Sequence, residues 1–198
     1  WREVEPFVWR NVDGEDLLAA KVENGRVTRF SFDEVSPFMV FEPTPASRSP
    51  TWLLPALGAG ALALFLTAFA WPVSALARRH YGVPYRLSGM DAKAHRWIRI
   101  VSVAVLAACI AWGATVTSMM GDLNLLTPRA DGWLWFLQLL SVVVFIGAAA
   151  IGVWNATVVV RAPRKWYAKT WAVVLALSLL VFLWTALQFH LIAFDVNY

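Results

Sequence analysis

Four stretches of the chain contain no Asp, Glu, Lys or Arg: residues 52–77, 100–120, 133–160 and 171–194. Few features constrain a fold more. A hydrocarbon core of about 30 Å is crossed by roughly 20 apolar residues, each adding about 1.5 Å of helix, and all four stretches are long enough. Helices that pack into a soluble core are shorter and keep a polar face. Composition agrees, with 59% apolar and 15% charged residues against roughly 45–50% and about 25% in ordinary soluble domains. The expectation is a membrane all-α fold: a four-transmembrane-helix bundle over residues 52–198, preceded by a small β-rich segment over residues 1–51.

Charge then sets the direction of the spans. Ten of the 17 Lys and Arg residues fall in two windows. Arg78, Arg79, Arg86, Lys93, Arg96 and Arg99 lie between the first two stretches, opposed only by Asp91, and Arg161, Arg164, Lys165 and Lys169 lie between the last two. Basic loops stay in the cytoplasm, so the segment before the first span, the connection at 121–132 (Arg129, Asp122 and Asp131) and the tail with Asp195 are expected outside. The same clustering excludes nucleic acid, which needs an exposed basic stripe. The lipid bilayer is the expected partner. Trp71, Tyr81, Trp97, Trp166 and Trp171 near the inner ends, with Trp52, Trp133, Trp135 and Tyr198 near the outer ends, form an interfacial belt. Pro72 is expected to kink the first span. Ala104, Ala108, Ala111 and Thr115 make a small-residue stripe on the second, where a neighbouring helix or a partner membrane protein could pack closely.

Residues 1–51 hold nine acids and six bases. Asn24-Gly25 separates the apolar-patterned runs 17–22 and 27–32, and both central residues of a type I′ turn need positive φ, so a hairpin is expected with Glu23 opposite Arg26 and Val22 opposite Val27. Residues 38–42, stopped by Pro43 and Pro45, read as a further strand, and residues 6–12 as another with Phe7 and Trp9 on one face. So few strands bury little surface. The segment is expected to complete a larger β-structure upstream. Neither an initiator methionine nor a signal peptide precedes it, which makes a fragment the expectation and processing the second explanation.

Chemistry is sparse. Strongly polar groups within the stretches are Gln138, Asn155, Gln188 and His190; each is a functional candidate because burial in a membrane is costly. Asn155 and Gln138 are expected to bond between helices. His190 falls near the outer face, with Asp195 as a potential partner, whereas His80 and His95 fall near the inner face, so no paired haem ligation is expected and no cofactor or metal is assigned. The single cysteine, Cys109, reads as a small packing residue. No nucleophile–base pairing, P-loop, H-E-x-x-H or dinucleotide fingerprint occurs, so no catalytic residue is assigned.

Several segments nevertheless look like the tail of a known family. Residues Phe7-Val8-Trp9-Arg10-Asn11-Val12-Asp13-Gly14-Glu15-Asp16, then Val40-Phe41-Glu42-Pro43, then Arg48-Ser49-Pro50 leading into an apolar run ending Trp71-Pro72, resemble the C-terminal membrane region of bacterial serine hydrolases of the beta-lactamase and penicillin-binding-protein-like group, class C type. The resemblance implies an upstream periplasmic catalytic domain bearing an S-x-x-K serine and lysine, none of which maps onto a residue here. It also implies a bacterial inner membrane location, with both ends of this region periplasmic, and an anchoring role. The alternative is a helical membrane module that binds a partner membrane protein or lipid through the seam and the basic loops.

Overall fold

The computed structural model describes residues 1–35, 39–84, 87–122 and 130–193. The chain divides into two units, Trp1–Pro50 and Thr51–Tyr198.

The first unit is a four-stranded antiparallel sheet in the order β1 (Arg2–Glu5), β2 (Val8–Arg10), β3 (Leu17–Glu23) and β4 (Arg26–Phe32). The β3–β4 turn forms as the sequence dictates: Asn24 and Gly25 have φ of 53° and 75°, Glu23 pairs with Arg26 and Val22 with Val27. Beyond that pair a bulge leaves Thr28 opposite no residue and moves Arg29 against Lys21. The strand expected over 6–12 contracts to Val8–Arg10, because Pro6 and Phe7 make the β1–β2 turn. Phe7 sits at φ 64° in that turn, outside the strand that carries Trp9. Of the strand expected over 38–42, Phe38 lies outside the described residues, and Phe41 forms a single antiparallel bridge to Phe30. Trp9, Leu18, Ala20, Phe30, Phe32 and Phe41 gather on one face with Trp1, whose ring centroid is 6.2 Å from that of Phe32. Within this unit no described residue is fully buried.

The second unit is helical. Its elements are α1 (Pro50–Tyr81), α2 (Gly89–Gly121), α3 (Asp131–Ser141), α4 (Gly147–Arg161) and α5 (Trp166–Gln188), with one π-helical turn, Val142–Ile146, joining α3 to α4 in a continuous rod. That makes four helices long and apolar enough to cross a membrane. They outrun the uncharged stretches because Arg, Lys and Ala are good helix formers: α1 continues through Arg78, Arg79 and His80, where cations suit the helix C-terminus, and α2 starts at Gly89 with Asp91 in its first turn. The first basic loop is thus mostly helix. α1 stops at Gly82, whose φ of 63° lets the Val83 N–H return to the Arg78 carbonyl at 3.1 Å, a Schellman closure. Helix α1 also runs through Pro55 and Pro72.

Leu64, Ile98, Val105, Phe145, Leu175, Leu179 and Phe182 form the centre of the core. Helices approach closely where side chains vanish. A Cβ on Gly152 of α4 would stand 2.8 Å from Leu179 Cδ1 and 3.4 Å from Ala176 Cα of α5, and one on Gly60 of α1 would stand 3.3 Å from Ser178 Cβ and Phe182 Cε2. The stripe expected on α2 is only part of its inward face. Ala108 is buried there, with Ile98, Val101, Ser102 and Val105, while Ala104, Ala111 and Thr115 are half-buried.

Candidate functional site

Three tryptophans tie the helices together in one recurring way. A Ser or Thr hydroxyl in a helix donates to its own backbone four residues back and keeps its lone pairs for a donor on the next helix. Thr67 donates to the Ala63 carbonyl (2.9 Å) and accepts from Trp171 Nε1 (3.2 Å); Ser141 donates to Leu137 (2.7 Å) and accepts from Trp112 Nε1 (2.8 Å); Thr115 donates to Ala111 (2.8 Å) and accepts from Trp133 Nε1 (3.0 Å). Trp133 and Trp171, expected as belt residues, thus also join α3 to α2 and α5 to α1, while their rings remain exposed on the outside.

Around the Trp171–Thr67 bond lies a cavity of about 440 Å³, at the end of the helical unit where the basic connections gather. All four long helices contribute to it: Thr67 from α1, His95 and Arg99 from α2, Asn155 from α4, and Trp171 from α5, with Arg164 from the α4–α5 connection. Its walls are otherwise aliphatic, Leu66, Ile98, Val159 and Leu175 among them. Arg99 is only 9% exposed and Asn155 3%. Extending the inward face of α2 backwards from Ser102 passes through Arg99 and His95, at three- and four-residue steps, so helix geometry turns both inward.

Arg164 is placed by backbone chemistry. Ala162 precedes Pro163 and is extended, at ψ 153°, which ends α4, and the Arg164 N–H then donates to the Ala162 carbonyl at 2.7 Å. Its Nη2 lies 3.2 Å from Asp91 Oδ2. That nitrogen is enclosed and makes no aligned hydrogen bond, so the contact is an ion pair alone. The positive charges of Arg99, Arg164 and Arg78 all act on His95. The Asn155 amide, expected to bond between helices, has no side-chain hydrogen bond within the described residues and lines the cavity instead. Two guanidiniums, an indole N–H already committed to Thr67, and a free carboxamide converge there. Such a set can hold an anion with an apolar tail; it contains no nucleophile with a base.

The other sequence candidates lie apart from it. Gln138 is buried in α3, Cys109 is half-buried in α2, and His190 sits in the turn after α5. The His190–Asp195 pairing involves Asp195, outside the described residues. Among the described residues no three His, Cys, Asp or Glu side chains come together as a metal site. Fold and cavity define a class: a four-helix apolar protein with a basic, helix-lined chamber at one end. Comparison with protein-family models, curated proteins and solved structures returns no match to this chain.

Proposed function

We propose that this chain is a multi-pass membrane module that holds an extracytoplasmic β-segment at the bacterial inner membrane, with the α1–α2 and α4–α5 connections in the cytoplasm. One observation carries the reading: apolar side chains stand exposed along all four helices, including Leu62, Phe65 and Leu76 of α1, Ile110 of α2, Val143 of the π-helical turn and Leu177 of α5. So many exposed large apolar side chains spread over every long helix are unusual for a soluble monomer, and a bilayer would cover them. The basic residues at one end support the orientation. The test is extraction of membranes carrying the whole chain. Retention in the pellet after alkaline carbonate and release by detergent is the expected result, and release by carbonate alone would refute insertion.

The tethered partner consistent with the resemblance is a periplasmic serine hydrolase domain of the beta-lactamase-like group, to which this region would add no catalytic residue. What supports it is the aromatic face of the sheet, which its own unit leaves partly open at Trp1 and Phe41 and which suits packing beneath further β-structure. Labelling of the complete gene product by a fluorophosphonate or penicillin-like probe tests this, and absence of labelling counts against it.

A further inference from the structure

We propose that the cavity between Arg99, Asn155 and Arg164 is a binding site for the phosphate of an anionic lipid drawn from the surrounding leaflet. The inference rests on the membrane reading above. The Asp91 carboxylate lies 3.2 Å from Arg164 Nη2 but without an aligned hydrogen bond, and an enclosed donor left so is costly. Arg164 Nη2 therefore carries hydrogen that nothing accepts in good geometry, and the Asn155 amide, 3% exposed, has both donors and its carbonyl to spare. A phosphate diester meets both needs: its oxygens accept from planar guanidiniums and from an amide N–H. The aliphatic walls fit acyl chains rather than water, and a chamber of about 440 Å³ is of ordinary size for a ligand with a few convergent polar groups. Basic pockets between helices at the cytoplasmic face are suited to anionic headgroups on general electrostatic grounds.

The test uses the whole chain, reconstituted in vesicles of mixed phosphatidylglycerol and phosphatidylcholine, re-extracted in mild detergent, and assayed by mass spectrometry for retained phospholipid. Phosphatidylglycerol is expected to be retained in preference to phosphatidylcholine. Arg99→Gln should lower that retention by about tenfold or more, the loss of one charge-assisted contact, and Asn155→Leu should lower it as well, by filling the site. Lys165→Gln, an exposed cation on the same connection as Arg164, should leave it unchanged. Equal losses in Arg99→Gln and Lys165→Gln would reduce the effect to general surface charge and overturn the site, as would equal retention of the two lipids. Displacement of the lipid by inorganic phosphate at the same concentration would overturn the lipid and point to free phosphate. Should Arg99→Gln not elute as a single species, Asn155→Leu decides alone, with unchanged retention refuting the site. Carbonate extraction of each variant separates this question from membrane insertion, since a lipid-site failure leaves the protein in the pellet.

Discussion

His190 ends α5 with a left-handed backbone, φ 56°, which lets the Leu191 N–H reach the Ala186 carbonyl at 2.9 Å. This is the Schellman closure that Gly82 makes for α1, made here by a residue with a Cβ. The left-handed region costs an L-residue roughly 1–2 kcal/mol, and histidine tolerates it better than branched residues do. His190→Gly should therefore raise the melting temperature of the detergent-solubilised chain, worth up to about 1 kcal/mol, and His190→Val should lower it by a similar amount. No change in either variant would remove the capping role. In the sheet, Asp16 beside Glu34 raises the Glu34 pKa by charge repulsion and a shared hydrogen bond, with Asp33 adding to it. A carboxyl raised in the fold favours its protonated state there. Its contribution to stability is thus fully present below the ordinary carboxylate range and is lost as pH rises through the raised value. The side-chain NMR titration of Glu34 should show a midpoint above the ordinary range, and Asp16→Asn should return it; a midpoint unmoved by Asp16→Asn would show that Asp16 is not the cause. Neither effect is legible in sequence. Positive φ at a non-glycine residue depends on the path by which the chain leaves the helix, and the proximity of Asp16 to Glu34 depends on the register of β3 with β4.

At the scale of elements, local chemistry makes some structure readable and tertiary contact decides the rest. The Asn24-Gly25 turn is readable because two residues alone specify it. Strand β1 is not, because Arg2-Glu3-Val4-Glu5 has no strongly apolar face and pairs only through β2. The apolar runs mark the helices, but not their charged extensions, since charge is a sign of a membrane boundary and not of a helix end. Recurring alanines point to α2 for close approach, yet the tightest contacts among the described helical glycines are at Gly152 of α4 and Gly60 of α1, both facing α5. Gly152→Leu should separate α4 from α5, costing about 1–3 kcal/mol or more as overpacking, whereas Gly152→Ala should be far milder. The Leu179 methyl can swing away from the new Cβ at 2.8 Å, and the Ala176 backbone at 3.4 Å is an ordinary contact. Thermal unfolding in detergent checks the ranking, and equal damage from Ala and Leu would contradict it. Trp112→Phe removes the donor to Ser141 while keeping most of the ring, so a loss of about 0.5–1.5 kcal/mol is expected for that interhelical bond.

For the whole molecule, the cavity shows why a site can be invisible in one dimension. Arg99 closes the basic loop by sequence yet lies on the inward face of α2. Arg164 is one of several cations after α4, and Asn155 is one amide in an apolar run. Only the reversals of chain direction between α1 and α2 and between α4 and α5, with Thr67 of α1 held to Trp171 of α5, bring the C-terminal part of α1, the start of α2, the end of α4 and the start of α5 to one end. That arrangement makes a strict demand on topology. On the proposed four-span reading, three crossings (α1, α2 and the α3–α4 rod) separate the β3–β4 turn from the α4–α5 connection along the chain. With Cys109→Ser removing the native thiol, single cysteines at Asn24 and at Lys165, both exposed, can be probed with a membrane-impermeant maleimide. In intact spheroplasts the Asn24 position should label and the Lys165 position should not, and permeabilisation should make Lys165 reactive. Labelling of both without permeabilisation would mean an even number of crossings between them. That would break the four-span topology and place the basic cavity where no cytoplasmic leaflet could supply its ligand.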